Sequence, residues 1–542
     1  MKRIFFLFSI LLVSFSLFSQ QTKEKKAGWH LLDQQQDGYM GISLAQAYDL
    51  LKNKKSRTVI VAVIDSGIDT TQEDLKPVLW INTKEINGNG IDDDKNGYTD
   101  DIHGWNFCGS KEGENLSRNS HEIARVYHNW RTEFEGKKEK NIPAEKKFLY
   151  SQWIKAASII EKDFEEASKQ LPDYTNFLNA LEISSKTICE ELSVKEFGPL
   201  HAKTLLNSNK NPVAKSAALW VDVFSQTTDT SIKHTVVIKE ISDYKNTLNN
   251  KIKRKEDKPE DTRGSLTKDN YFDISDRFYG NNNLKAHSGD HGTLVAGVIG
   301  AVRNNGIGID GIADNVRIMA IRAVPGGDEH DKDVALAIRY AVDNGASIIN
   351  MSFGKPVSPF KHLVDEATKY AASKGVLLVH GSGNDGKDIS KDVFYPNPIF
   401  LDGTKATNYI TVGASGDETT GGYAASFSNY SKSGVDVFAP GMFIYSTATD
   451  NRYSGADGTS LASPVVAGVA ALLKSYFPQL KPEQMVRILT TSGKTIQGQV
   501  SLPGEENKKV SFSTLSSSGK VVNAYEAVKM ALEMENDSKK AF

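Results

Sequence analysis

Three short segments of this 542-residue chain carry side chains suited to nucleophilic catalysis. Asp65 stands in VIVAVIDSGID, His291 begins HGTLVAGVIGA, and Ser460 lies in GTSLASPVVAG. A serine hydroxyl is a weak nucleophile at neutral pH, so it needs a base to take its proton. An imidazole base in turn needs a third group to fix its tautomer. The segments therefore predict a triad in which Asp65 orients His291 and His291 activates Ser460.

Each triad residue stands at one end of a predicted secondary-structure element. The β-branched run 58–64 predicts a buried strand with Asp65 at its carboxyl end, where open α/β sheets carry their functional groups. A second apolar stretch, 294–302, predicts a helix whose first turn holds the histidine. Ser460 precedes a longer apolar stretch, 461–476, which predicts a helix rich in small residues that can pack deep in the core.

The order Asp, His, Ser and the residues around each of them resemble the subtilisin-like serine peptidases, or subtilases. This resemblance implies a subtilisin-like α/β fold: a doubly wound, mostly parallel sheet covered by helices on both faces. It also implies peptide hydrolysis through an acyl-enzyme, with Asn384 of VLLVHGSGND as an oxyanion donor beside the backbone N–H of Ser460. The alternative is a catalytically silent subtilase-fold protein that binds peptides. Loss of a triad residue would indicate it, and none is lost.

The resemblance also implies where a substrate lies. Ser352-Phe353-Gly354 matches the family's substrate-binding strand, and the opposite wall of the primary pocket is expected from Gly381, Ser382 and Gly383. Neither wall contains an acidic residue, which predicts apolar or aromatic substrate side chains. The other side of an extended peptide is expected to add to the backbone at Gly326 and Gly327. Three nearby acids predict a preference for a basic residue further along the substrate: Asp328, Glu329 and Asp331.

A segment after the Asp65 strand, NGNGIDDDKNGYTDD, has the spacing of an oxygen-ligand calcium loop. The candidate ligands are Asp92, Asp94, Asn96 and Asp100. His103 stands where such a loop carries its glutamate, so another residue, such as Asp101 or Asn89, has to complete the shell. The alternative is a turn-rich hairpin without metal. Calcium is therefore expected as a structural ion, and catalysis itself needs no cofactor.

The start of the chain and its charge are typical of an exported protein. Residues 1–19 combine a basic start, a short apolar core and a small residue at the exit, which predicts a signal peptide and a secreted or periplasmic location. A net charge of -2 gives no basic surface for nucleic acid. No other segment approaches the length of a membrane span, so no stable membrane insertion is expected after signal removal. Two cysteines, Cys108 and Cys189, could pair in an oxidising compartment, and two free thiols are equally consistent.

Strand and helix candidates alternate, which indicates a parallel sheet covered on both faces. The strand candidates are 58–64, 316–321, 347–351, 376–380, 409–412 and 435–438, and the helical stretches include 332–344 and 361–374.

The expected peptidase domain covers 20–109 and 281–533, with a polar tail at 534–542. Apolar residues at helical spacing predict a helical insertion over 110–280. Two roles stay open for it: a surface insertion with its own core, and a lid over the cleft that restricts substrate size or docks a partner.

Overall fold

The computed structural model describes residues 26–227, 229–285 and 289–540, so the predicted signal peptide at 1–19 lies outside the described residues. The strands are β1 (Val59–Asp65), β2 (Gly104–Asn106), β3 (Val316–Arg322), β4 (Ile348–Met351), β5 (Leu377–Gly381), β6 (Tyr409–Ser415), β7 (Val437–Pro440), β8 (Ile444–Ala448), β9 (Arg452–Ala456), β10 (Lys494–Thr495), β11 (Gln499–Leu502), β12 (Glu505–Ser511) and β13 (Lys520–Val521).

The α-helices are α1 (Gln34–Asp37), α2 (Leu44–Leu51), α3 (Glu122–Phe134), α4 (Lys147–Leu192), α5 (Pro199–Thr204), α6 (Asn211–Phe224), α7 (His234–Glu256), α8 (Thr262–Thr267), α9 (Asp290–Gly300), α10 (Asp331–Asp343), α11 (Lys361–Ser373), α12 (Thr459–Tyr476), α13 (Pro482–Thr491) and α14 (Ala524–Lys540). Helix α14 continues through the described part of the predicted polar tail. The tail expected from its polarity is therefore an extension of the last helix, to Lys540.

A nine-stranded sheet organises most of the chain, in the order β10-β13-β7-β6-β5-β4-β1-β3-β2. All neighbouring pairs from β13 to β2 are parallel, and β10 pairs antiparallel with β13. Strand β1 lies between β3 and β4, with Ile64 opposite Met351. The residues that directly follow these two positions therefore lie side by side at the carboxyl edge of the sheet. The predicted mostly parallel α/β fold is confirmed.

The sheet is buried on both faces because its central strands are apolar at nearly every position. In β1, Val61 and Val63 pack into one core together with apolar residues of α9 and α12. Ala62 and Ile64 point to the opposite core, which α10 and α11 complete. This alternation follows from the two-residue period of a strand and explains why the run is apolar throughout.

The described residues form two compact units. The sheet unit contains residues 26–126, 134–152 and the described residues from 260 onward, and the helical unit contains 127–133 and the described residues of 153–259. The helical unit is thus smaller than the insertion predicted over 110–280. The segments flanking it fold with the sheet, whereas the sequence prediction rested on polar composition and on apolar residues at helical spacing.

The helical unit has its own apolar core, built by α4 to α7. Trp220 is fully buried and packs edge-on against Phe197, with ring centroids 5.2 Å apart. The rings of Tyr174 in α4 and Tyr244 in α7 pack with their centroids 4.6 Å apart. The helical spacing seen in the sequence therefore corresponds to real packing faces within this unit.

Two further sequence expectations concern the thiols and the membrane. Both Cys108 and Cys189 are free, which settles the open choice in favour of two thiols, and burial raises the pKa of Cys108 to about 12. No helix in the described part of the chain is long and apolar enough to cross a membrane.

Candidate active site

Asp65 is the last residue of β1, and its carboxylate is buried at the carboxyl edge of the sheet. Oδ1 accepts a hydrogen bond from the backbone N–H of Ser66 at 2.6 Å and lies 2.7 Å from Nδ1 of His291. A carboxylate can only accept, so Nδ1 carries the proton and Nε2 is left with its lone pair in the neutral imidazole. This contact fixes the tautomer that a general base requires.

His291 is the second residue of α9, and a glycine lets its helix approach β1 closely. A Cβ on Gly292 would lie 2.1 Å from the carbonyl oxygen of Gly67 and 3.1 Å from Cβ of Asp65. The imidazole keeps 41% of its side-chain surface exposed, so a bound substrate can reach it. The charge of Asp65 raises the pKa of His291 above 6.5, against the opposing effect of burial.

Ser460 is the second residue of α12, and it meets β4 at the carboxyl edge of the sheet. Its hydroxyl donates to the carbonyl oxygen of Ser352 at 3.2 Å, and the Ser352 hydroxyl donates to the Ser460 carbonyl oxygen at 2.8 Å. Ser352 directly follows β4 and Asp65 ends the neighbouring β1, one strand spacing away. The sheet therefore brings the predicted carboxylate, imidazole and hydroxyl to one edge.

Two hydrogen-bond donors face a common space beside Ser460. The position of a Cβ on Gly458 lies 3.5 Å from the backbone nitrogen of Ser460 and 3.6 Å from Nδ2 of Asn384. The Asn384 amide is oriented by its oxygen, which accepts from the backbone N–H of Thr459 at 2.9 Å and from its hydroxyl at 3.0 Å. Glycine leaves this space open, and a negatively charged oxygen placed there would meet both donors.

The two predicted pocket walls, residues 352–354 and 381–383, lie directly beside the serine. A Cβ on Gly381 would lie 3.0 Å from the Thr459 carbonyl oxygen, and the Gly383 N–H donates to the Thr459 hydroxyl at 3.1 Å. The Ser382 hydroxyl is turned away from the cleft and donates to the Asn429 carbonyl oxygen at 3.0 Å. The walls are thus positioned by contacts with the helix that carries Ser460.

An aromatic ring that the sequence reasoning missed lies against both walls. Ring atoms of Phe394 would lie 2.3 Å from a Cβ on Gly354 and 3.1 Å from a Cβ on Gly383. The walls expected to accept an apolar or aromatic substrate side chain therefore have an aromatic ring of the chain itself against both of them. The two wall glycines are a sequence signal of close approach, but nothing in the sequence identifies the approaching residue.

The predicted peptide-binding edge at Gly326 and Gly327 is paired within the chain. Gly326 donates to the Ser117 carbonyl oxygen at 3.1 Å and accepts from the Asn119 N–H at 2.6 Å. A Cβ on Gly327 would lie 2.2 Å from the Asn119 carbonyl oxygen. Both backbone groups of Gly326 are thus used, so the expectation that this residue adds a strand to the substrate is wrong. No pattern in the sequence indicates that 117–119 returns to this edge.

Two of the three acids after Gly327 have internal partners, and the third is buried. Asp328 accepts from the Glu122 N–H at 2.8 Å, and Asp331 pairs with Lys355 at 2.8 Å. Burial raises the pKa of Glu329 to about 8, which holds its carboxyl group neutral near pH 7. The structure therefore contradicts the expectation that these acids attract a basic substrate residue.

An acidic cluster lies at the predicted calcium loop, and its residues differ in part from the predicted ligands. Carboxylate oxygens of Glu85, Asp92 and Asp94 lie within 4.8 Å of one another. The oxygens of Asp100 accept instead from the N–H groups of Gly88 and Gly90, and the amide oxygen of Asn96 accepts from the Tyr98 N–H. The cluster contains the predicted Asp92 and Asp94 and adds Glu85, which lies outside the loop and has no spacing signal in the sequence. Asn96 and Asp100 stay predicted ligands. Three convergent carboxylates fit a hard cation such as Ca²⁺.

The two residues expected to complete the calcium shell have other hydrogen-bond partners in this structure. Asp101 accepts from the amide of Asn82 at 2.7 Å and from the hydroxyl of Tyr340 at 2.6 Å, and burial raises its pKa to about 6. The Asn89 amide donates to Asp93 at 2.9 Å.

The site combines a serine hydroxyl, an imidazole in contact with a carboxylate, and two hydrogen-bond donors at one edge of a parallel sheet, which are the kinds of group that a serine hydrolase uses. The family model of the subtilase family (Peptidase_S8) matches residues 228–514, slightly more than half of the sequence. The chain belongs to the subtilase family.

Curated relatives agree over a shorter stretch. A "Thermophilic serine proteinase" of Bacillus sp. (strain AK1) is 44% identical over 187 residues, which cover 34% of this chain and 43% of the relative. An "Alkaline protease" of Alkalihalobacillus alcalophilus is 38% identical over 189 residues, which cover 35% of this chain and 45% of the relative. The chain thus spans less than half the length of these two relatives. A solved structure described as proteases from Pseudoalteromonas arctica aligns at 18% identity and a TM-score of 0.45, over 94% of this chain and 100% of the other.

Proposed function

We propose that this chain is a serine endopeptidase that hydrolyses peptide bonds through an acyl-enzyme on Ser460. The hydroxyl oxygen of Ser460 attacks the scissile carbonyl carbon while Nε2 of His291 takes its proton. His291 then returns this proton to the leaving amine, and a water molecule, activated by the same nitrogen, releases the acyl group. Asp65 holds the imidazole and stabilises its charged form. The observation that carries this proposal is the 2.7 Å contact between Oδ1 of Asp65 and Nδ1 of His291. Asp65 ends β1, and Ser460 contacts the residue after the neighbouring strand β4.

The oxyanion of the tetrahedral intermediate lies in the space beside Gly458. The backbone N–H of Ser460 and the amide of Asn384 donate to it there. These donors are fixed before the reaction, so little reorganisation is needed when the charge develops. Protein and peptide substrates bind in extended form along 352–354, which places the scissile carbonyl next to Ser460.

Labelling with a fluorophosphonate probe tests the assignment. The wild-type protein should be labelled at Ser460 and should digest casein, whereas Ser460→Ala should do neither. Ser475→Ala is the matched control, because Ser475 is a buried residue of the same helix whose hydroxyl donates to the Leu472 carbonyl oxygen. Labelling that survives Ser460→Ala contradicts the proposal. A wild type that binds peptides but cleaves none favours the silent peptide-binding alternative.

We also propose that a structural calcium ion is held by Glu85, Asp92 and Asp94. All three belong to the segment that links β1 to β2, and the carboxylate of Glu85 also accepts from the N–H groups of Asp94 and Asp100 at 3.0 Å. A cation there would neutralise three adjacent negative charges and tie the two ends of the loop together. The ion would stabilise the fold and take no part in the reaction.

We propose that the protein is exported to the periplasm or the medium. The basic and then apolar pattern of residues 1–19 supports this location. Intact-mass measurement of the protein recovered from culture medium and periplasm tests it. A mass that retains residues 1–19, together with a cytoplasmic location, contradicts it.

A further inference from the structure

We infer that Phe394 restricts the substrate residue on the amino-terminal side of the scissile bond to small side chains. This inference rests on the proposed function. The pocket for that residue lies beside Ser460, between the walls 352–354 and 381–383. The same two ring atoms of Phe394, Cε1 and Cζ, lie within 2.6 Å of a Cβ position on Gly354 and at 3.1 Å from one on Gly383. One ring edge therefore contacts both walls and closes the pocket between them.

The backbone that carries Phe394 is tied to the wall it contacts. Tyr395 donates to the Lys355 carbonyl oxygen and Lys355 donates to the Tyr395 carbonyl oxygen, each at 2.9 Å. These residues directly follow Phe394 and Gly354. Because both backbone bonds form next to the ring, the segment cannot retreat from the wall without losing them. A substrate side chain therefore meets a ring on a fixed base.

The opposite side of the ring is also supported. Phe394 stacks on His380 with ring centroids 6.1 Å apart and an angle of 24° between the planes. His380 is buried, and its Nε2 lies 2.7 Å from the Phe353 carbonyl oxygen in the first wall. Burial lowers the pKa of His380 to about 4, so this support stays neutral throughout the neutral and alkaline range. The ring position is therefore set by both walls.

Phe394 lines an apolar cavity of about 490 Å³. Its other lining residues include His380, Tyr395, Pro396 and Phe400. A bulky substrate side chain would have the volume it needs if the ring were absent. Phe394 thus lines this cavity and also contacts both walls, so its truncation should join the cavity to the space between the walls. Wild-type specificity for small residues such as Gly, Ala and Ser follows.

The test is a series of quenched peptides that differ only at the residue before the scissile bond, with Ala, Leu or Phe there. Wild-type kcat/KM should be higher for Ala than for Phe by about 10- to 100-fold, the range that a hydrophobic pocket of the wrong size produces. Phe394→Ala should raise kcat/KM for the Phe peptide by at least about tenfold and change the Ala peptide little. Phe394→Leu, a milder change, should shift the preference towards Leu and serves if the alanine variant does not fold.

Phe400→Ala is the matched control, because it enlarges the same cavity without opening the pocket between the walls. It should keep the wild-type preference. A wild type that prefers Phe over Ala, or folded Phe394 variants with the wild-type ratio, overturns the inference. Fluorophosphonate titration distinguishes failure of the pocket inference from failure of the proposed function. A wild type that is labelled at Ser460 but prefers the Phe peptide over the Ala peptide refutes only the pocket inference. An unlabelled, inert wild type refutes the proposed function and the inference with it.

Discussion

Replacing Asn384 tests whether the two donors beside Gly458 stabilise an oxyanion. Asn384→Ala removes the amide donor and also the oxygen that accepts from the N–H and hydroxyl of Thr459. Asn384→Asp keeps an oxygen for Thr459 and removes only the donor, while adding a negative charge beside the space. The pair of variants separates the loss of the donor from the loss of the local structure.

Both variants should lower kcat and leave KM nearly unchanged, because the donor acts on charge that exists only in the transition state. One of two donors is lost, and removing the equivalent donor in a subtilisin lowers kcat by about 100- to 1000-fold, or about 2.7–4 kcal/mol. We expect the same range for Asn384→Ala and a larger loss for Asn384→Asp, whose charge repels the oxyanion. Thr459→Val keeps the amide but loses one of its orienting bonds, so its kcat should fall between the wild type and Asn384→Ala.

The assay is steady-state hydrolysis of a peptide amide, with active sites counted by fluorophosphonate titration. Thermal unfolding provides the structural control: Asn384→Ala leaves the buried Thr459 N–H without its acceptor and should be destabilised by about 1 kcal/mol, and Asn384→Asp by less. Wild-type kcat in both folded variants would refute the two-donor reasoning. A rise in KM with unchanged kcat would instead make Asn384 a substrate-binding residue.

Three further predictions concern the base, the metal and the helical unit. Because Asp65 raises the pKa of His291, wild-type kcat/KM should rise with pH through a pKa above 6.5 as the imidazole loses its proton. Asp65→Asn should move this rise in the pH profile to lower pH and reduce kcat by about 10⁴. A pH profile that does not move contradicts the assignment. Chelator should lower the melting temperature of the wild type and of the control Asp93→Ala, but not that of Asp92→Ala. An ion at a hundredfold excess over its Kd stabilises the folded protein by about 2.7 kcal/mol. Identical wild-type melting curves with and without chelator would contradict the proposed calcium site. If the helical unit is a lid, replacing 153–259 with a glycine-rich linker should raise the ratio of protein to peptide cleavage, and an unchanged ratio makes it a surface insertion.

The elements that carry the three proposed triad residues could be predicted from the sequence because each has a strong residue pattern. Asp65 ends a strand that is apolar on both faces, and such a run fits only the centre of a covered parallel sheet. His291 and Ser460 each stand in the first turn of a helix with almost no polar residue after it. Local pattern and tertiary position agree at these points, so the sequence alone predicts the bounds of these elements to within four residues.

The parts that were missed are brought together by loops. Phe394, Glu85 and the segment 117–119 reach the site through irregular backbone, and their partners lie elsewhere in sequence. Residue type and spacing carry no information about such contacts because a loop can place a side chain in many positions. The resemblance to subtilases implied an open pocket and a free peptide edge, and the chain fills or pairs both with its own residues.

Buried ion pairs fix the two segments of the sheet unit that lead into and out of the helical unit. Arg263 lies 2.8 Å from Asp269 and 2.9 Å from Asp333 of α10, and all three side chains are about 1% exposed. On the entering side, Glu122 lies 3.5 Å from Lys355. Burying such charges costs several kcal/mol each, which only well-placed partners offset, so these pairs specify where the segments lie more than they add stability. None of these residues belongs to 153–259, so both attachments survive replacement of that range. A replaced protein that fails to fold would therefore show that the helical unit itself contributes to folding.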